Sequence, residues 1–225
     1  MVKSLHQYIH TDKFLVSVDC IVFGFHDTEL KILTFKRKLE PKIGAPSLLG
    51  GFVCENESVN DAAKRVLNKL TGIDNLYMEQ VGTYGDIDRD PAGRVISIVY
   101  FALINIEDYD SSLLEKYDAS WLSIEDWEKL IFDHKQMVDD AIRKLRRKAA
   151  TFDIGFNLLP EKFTLTQLQS LYEAIFSENL DKRNFRKKIL SLDILEKLEE
   201  KDKLHSRKGA FYYKLKEDYL KLLNF

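Results

Sequence analysis

Residues 50–73 read GGFVCENESVNDAAKRVLNKLTGI. The glycine pair lies inside a short apolar run, LLGGFV (48–53), that ends at an acidic turn. Ser58, followed three residues later by Asp61, is an N-cap signal: its hydroxyl can accept from a free amide of the first turn. The helix then runs through AAKRVLNKL, and Gly72 supplies a left-handed stop. Strand, turn and helix are therefore expected in that order. Positions 66, 69 and 70 are spaced to share one helix face. That face carries Val66, Lys69 and Leu70.

Around this unit the pattern alternates. FLVSVDCIVFGF (14–25) and LKILTFKRK (30–38) are β-branched and aromatic, with HDTE between them, and predict a hairpin. YMEQVGTYG (77–85) and RVISIVYFALINI (94–106) predict strands around the polar loop DIDRDPAG. ASWLSIEDWEKL (119–130) reads as a turn into a short helix, and DHKQMVDDAIRKLRRKAA (133–150) as a longer one. Strands interleaved with helices predict an α/β sandwich over 1–150.

After residue 150 helical patterns dominate. LTQLQSLYEAIF (165–176) has one apolar face, with Thr164 or Thr166 as its cap. Asp181 caps a second helix in DKRNFRKKILSLDILEKL. KDKLHSRKG then separates a short run ending near Leu198 from AFYYKL (210–215), in the form of a β-ribbon with a basic tip. Helix, turn, helix and ribbon is the order of a winged helix-turn-helix, expected over 151–225.

The bulk numbers agree with two domains: 225 residues, 45% apolar, 14 Phe and 10 Tyr leave room for a sizeable core and exclude a disordered chain. The net charge of -2 is uneven. Residues 1–150 carry 20 basic and 24 acidic groups, and residues 151–225 carry 14 and 12. Cys20 and Cys54 lie in apolar runs and read as two free buried thiols. The start of the chain has no apolar signal segment, and VISIVYFALI (95–104) is too short to span a bilayer, so a cytoplasmic protein with no membrane partner is expected.

At fixed spacing, Gly51, Glu57, Arg65, Leu67, Gly72 and Ile73 resemble the Nudix box. In that motif three glutamates follow the arginine; here their places hold Val66, Lys69 and Leu70. The resemblance implies a Nudix-like α/β/α sandwich. Nudix hydrolases cleave diphosphates with Mg²⁺ or Mn²⁺ held on helix carboxylates. Such hard cations require oxygen ligands. Val66 and Leu70 offer none, and Lys69 sets an ammonium where a dication would sit. The expectation is a domain with no metal site, no cofactor and no catalytic residues, hence no enzyme. Arg65 then pairs with a local acid or carbonyl, and Glu57 serves the turn.

DKRNFRKK (181–188) holds five cations in eight residues. The second helix of such a motif enters the major groove of double-stranded DNA. Lys182, Arg183, Asn184 and Lys187 are candidates for base edges. Arg186 and Lys188 are candidates for phosphates. Phe185, Ile189 and Leu190 form the buried side. Lys203, Arg207 and Lys208 sit on the presumed wing. RKLRRK (143–148) reads either as a solvated face or as a phosphate contact. The stretch LLPEKFTLTQLQSLYEAIFSENLDKRNFRKKIL, with FDH (132–134) and GDIDRDPAGR (85–94), resembles the Nudix-related transcriptional regulators. That widens the resemblance to nearly the whole chain and is similar to their arabinose-responsive branch. It implies a DNA-binding regulator, of repressor type, whose first domain senses a small molecule: some members of the family respond to ADP-ribose or related nucleotides, others control sugar use, and the similar branch points to a small sugar effector, L-arabinose.

The loop 85–94 offers Asp86, Asp88, Arg89, Asp90 and Arg94 for a pentose, with Tyr84, Tyr100 or Trp121 as the aromatic flank. The same loop can equally be a turn held by its own Asp–Arg pairs, and His134 either starts a helix or lines the pocket. A homodimer on a two-fold operator is expected, with helix 133–150 carrying a displacement between domains. The competing reading is a Nudix-type pyrophosphohydrolase acting on ADP-ribose or a related nucleoside diphosphate; a third is an RNA-processing hydrolase.

Overall fold

In the computed structural model the described residues are 11–72, 76–108, 111–152, 154–203 and 209–223. The organising strand is β1 (Leu15–His26), twelve residues long and apolar on both faces. Its first half pairs antiparallel with β4 (Leu49–Phe52), and its second half with β2 (Glu29–Lys36). On the other side it runs parallel to β6 (Val95–Asn105), which pairs antiparallel with β5 (Tyr77–Tyr84). β3 (Pro46–Ser47) and β7 (Ala119–Ser123) complete the sheet against β2. Both faces must be covered, because residues alternate sides along a strand. α1 (Val59–Thr71) covers Val18, Cys20, Val22, Tyr100 and Ala102. α3 (His134–Ala149) lies on the other face, over Ile21, Phe23, Val99 and Phe101. A short α2 (Ser111–Lys116) precedes β7.

The caps expected around α1 are present. The Ser58 hydroxyl accepts from the Asp61 amide at 3.1 Å, and Gly72 ends the helix at φ 71°. Segment 119–130 is instead β7 followed by a 3-10 turn over 124–129. Ladder bonding to β2 overrides the local helical pattern there.

The remaining elements are β8 (Phe163–Thr164), α4 (Leu165–Phe176), α5 (Lys182–Ser191), β9 (Leu195–Asp202), β10 (Ala210–Leu215) and α6 (Glu217–Leu223). Thr164, rather than Thr166, caps α4, in a reciprocal pair with Gln167: the Gln167 amide donates to Oγ1 and the Thr164 amide to Oε1. Asp181 caps α5 by accepting from the Asn184 amide at 2.8 Å. α5 stops at Ser191, with Asp193 at φ 56° turning the chain into β9. β8, β10 and β9 form a three-stranded sheet. The first ribbon strand thus continues four residues past Leu198.

One apolar core runs from the sheet into this second unit. It joins Met137, Val138, Ile142 and Leu145 of α3 to Phe152, Ile154, Phe163, Leu168, Leu171, Tyr172 and Phe185. Leu190, expected inside, is 48% exposed, because α5 buries Phe185 and Ile189 on one side only.

Candidate functional site

The turn after β4 is closed by one ion pair. Arg65 on α1 donates through Nε to Glu57 Oε2 at 2.8 Å and through Nη2 to Oε1 at 2.6 Å. Nη2 also reaches the Phe52 carbonyl at 2.9 Å, and the Cys54 amide donates to Glu57 Oε1 at 2.7 Å. The Arg65 guanidinium, helped by that amide, holds the Glu57 carboxyl down at about 2. Both oxygens of Glu57 are thus occupied by the chain itself. Cys54 is exposed, while Cys20 is buried, so only one thiol fits the sequence reading. The apolar run ends before residue 54, which lies in the turn beside Arg65.

Val66 is buried and lies against Gly51; a side-chain carbon at 51 would begin 2.8 Å from Val66 Cγ2. Lys69 is exposed and Leu70 half-buried in the core beneath α1. This donor set does not fit Mg²⁺ or Mn²⁺, which need several oxygens. Among the described residues no group of three His, Cys, Asp or Glu side chains is placed to hold a metal ion.

On the opposite face of the sheet lies a buried polar hub. Arg89, from the loop after β5, has a side chain only 5% exposed. It grips Asp133 with both arms, Nε to Oδ2 at 2.7 Å and Nη2 to Oδ1 at 3.0 Å. Nη2 is also 3.7 Å from Asp19 Oδ2 on β1. Ser97 of β6 donates to Asp19 Oδ2 at 2.5 Å. His134 opens α3, and its Nδ1 accepts from the Leu48 amide at 3.2 Å while Nε2 faces Asp19 at 3.9 Å. Burial pushes the His134 pKa down, against the pull of Asp19 and Asp133. Asp19 presses on the glycine pair as well: a side chain at 50 would begin 2.6 Å from Asp19 Oδ1.

The residues expected to cup a pentose do not converge. Arg89 faces inward, its charge committed to Asp133. Arg94 donates to the Gly85 carbonyl at 2.7 Å and stacks over Phe14, so it braces its own loop. Asp90 accepts from the Ala92 amide. Asp86 and Asp88 are exposed at the loop tip. Tyr84 lies on the α3 face and donates to Asp140 at 2.7 Å. Tyr100 and Trp121 belong to the α1 face, where Tyr100 donates to Asn60. The sheet itself separates the proposed aromatic flanks.

The cations of α5 are divided by the helix repeat. Arg183 and Lys187, four residues apart, are exposed on the side opposite Phe185 and Ile189, and Asn184 is exposed beside them. Lys182 lines a cleft of about 750 Å³ between α4, the ribbon and the turn after β1. Arg186 leans toward Thr166 Oγ1 at 3.4 Å, with its Nε buried and without a hydrogen-bond partner among the described residues. Lys188 turns back, donating to the Ala150 carbonyl at 3.4 Å and lying over the Phe152 ring. Lys203 is exposed; Arg207 and Lys208 lie outside the described residues.

Residues 13–142 match the model of the NUDIX domain, and residues 155–215 match the NrtR DNA-binding winged helix domain. The chain is 32% identical over 209 residues to an ADPR (ADP-ribose) responsive transcriptional repressor from Acinetobacter baylyi, covering 91% of this chain and 84% of that one. The chain belongs to the Nudix-related transcriptional regulators.

Within this family the fold agrees with Shewanella oneidensis NrtR complexed with a 27mer DNA: TM-score 0.80, 29% identity, 92% of this chain and 95% of that one. The NUDIX domain of the same Shewanella protein, complexed with ADP ribose, matches at TM-score 0.54 and 29% identity, covering 63% and 99%. An ADP-ribose pyrophosphatase from Methanocaldococcus jannaschii is 35% identical over 141 residues, 63% of this chain and 79% of that one. None of these relatives points to arabinose, so the branch expected from the sequence finds no support. The sequence reading also passed over Asp19 and Asp133. Asp19 carried a usable signal: it is the one charge inside the apolar run 14–25.

Proposed function

We propose that this chain is a DNA-binding transcriptional repressor that responds to ADP-ribose. Residues 1–150 form the effector-binding unit and residues 151–225 the winged helix. The observation that carries the reading is the Arg183–Lys187 face, exposed on the second helix of the winged helix, in one polypeptide with a Nudix domain whose box helix presents Val66, Lys69 and Leu70. Cations on that face suit a polyanion, and a box helix with no carboxylate at 66, 69 or 70 suits recognition without bond breaking. The Acinetobacter and Shewanella relatives support ADP-ribose over L-arabinose as the effector. The reading includes a homodimer, since a dimer of winged helices would match the two half-sites of a two-fold operator. No described helix is long and apolar enough to cross a membrane, in keeping with a cytoplasmic repressor.

The test is a gel-shift titration on a duplex selected from a random library, run in EDTA with ADP-ribose, AMP, ribose and L-arabinose. Release by ADP-ribose alone is the expected result; release by none of the four removes the effector reading. The archaeal pyrophosphatase match favours one second reading, hydrolysis of ADP-ribose. Metal-dependent formation of AMP by the purified chain would replace the repressor reading with that one.

A further inference from the structure

We propose that the Arg89–Asp133 pair is the joint through which effector binding displaces α3, which makes both side chains positioning residues for the response rather than effector ligands. The inference rests on the effector reading above. Three observations carry it.

The pair is built into a hub where separate segments meet. Asp19 touches the glycine strand of the box, Leu48 precedes it, Arg89 belongs to the loop 85–94, and Asp133 and His134 start α3. The tip of that loop is open to solvent, with Ile87 76% exposed. A ligand seated against the box turn or the loop therefore presses on groups that also hold the helix. Next, Asp133 stands at the N-cap of α3 yet makes no side-chain cap bond. Both its oxygens are taken by Arg89. An aspartate at that position ordinarily satisfies the free amides of its own helix. Here the carboxylate grips Arg89, and the amides of the first turn of α3 are left without it; release of Arg89 would leave that carboxylate without its partner at the start of the helix.

Last, the far end of α3 is fastened to the winged helix. Arg146 donates to the Ile175 carbonyl at 2.7 Å and to Ser177 Oγ at 2.8 Å, both at the end of α4. Lys188 of α5 reaches the Ala150 carbonyl. Sixteen residues of helix separate the two ends, about 24 Å. The buried face of Met137, Val138, Ala141, Ile142 and Leu145 packs the helix into the core that the two units share.

The experiment measures three quantities on the full-length chain: ADP-ribose affinity by calorimetry, operator affinity by fluorescence anisotropy with and without ADP-ribose, and Tm. Asp133→Asn keeps the shape and removes the charge; Arg89→Lys keeps the charge and removes the two-armed grip. In the wild type ADP-ribose should weaken operator binding about 5–150-fold. In both variants that ratio should fall close to one, while each separate affinity stays within a few-fold of wild type. Arg143→Lys, on the surface of the same helix, should respond as wild type does. Variants that keep the full response overturn the joint. So does a parallel fall of both affinities with Tm, which marks a purely structural pair. A wild type that binds operator and ignores ADP-ribose overturns the effector reading and the joint together. A responsive wild type with responsive variants overturns the joint alone.

Discussion

Glu57 and Arg65 are eight residues apart, and the turn folds so that both carboxylate oxygens meet one guanidinium. The folded-state pKa of Glu57 lies below its ordinary value, so the pair's contribution is present above the ordinary carboxylate range. It is lost as pH falls from about 4.5 toward about 2. Urea titrations of wild type and Glu57→Gln should therefore differ at neutral pH and converge in acid; a constant gap would contradict the pair. The Arg65 side chain is 44% exposed, and solvent screening on that side keeps the gap small. Val66 shows the opposite economy. A position that resembles a metal ligand has become packing, and Val66→Ala should cost about 1–2 kcal/mol of unfolding free energy in the same titrations.

α5 and α3 are both cation-rich and put their charges to different uses. On α3, Lys144 and Lys148 converge on Glu79 of β5, Arg143 pairs with Asp140, and Arg146 bonds to α4. Burial alone would raise the Glu79 pKa, but hydrogen bonds from Lys144, Lys148 and Tyr77 hold it at about 2. RKLRRK is thus mostly internal fastening, a third use beside the two expected from sequence. On α5, Arg183 and Lys187 have no such partners among the described residues. Each substitution to Ala should weaken duplex binding and reduce the slope of log K against log salt by about 1. Lys188→Ala should change that slope little, because its ammonium faces the Ala150 carbonyl. Anisotropy titrations at several salt concentrations decide between these outcomes.

Across the whole molecule, the two units share an apolar core rather than meeting across a loose linker. Phe152, Tyr172 and Phe185 form a mutual cluster of tilted ring contacts at the junction, and the Tyr172 hydroxyl donates to the Ile154 carbonyl. Such a junction transmits movement only if it stays whole. Arg146→Met should remove two bonds there and cost about 1–3 kcal/mol. Hydrogen exchange should then rise first in α4 and α5, ahead of the sheet. Uniform acceleration through both units would show that Arg146 does not fasten them.

Legible from the residue pattern alone were most of the element order, the helix caps at Ser58 and Asp181, the choice of Thr164 or Thr166 for a third, and the Nudix and winged-helix pattern; segment 119–123 became a strand only through its pairing with β2. The legible features depend on neighbours three or four residues apart, where local rules act. The absence of carboxylates at 66, 69 and 70 was equally plain. Which charges stay free was set by the three-dimensional packing. Arg89 and Arg94 read alike in a polar loop, yet one is buried against Asp133 and the other braces the loop's own carbonyls. Tyr84 and Tyr100 read alike as strand aromatics, yet they lie on opposite faces of one sheet. Local pattern shows which residues can carry chemistry. Where each one points is set by partners 40 to 80 residues away, such as Asp19 with Ser97 and Arg89 with Asp133, and no local rule reaches that far.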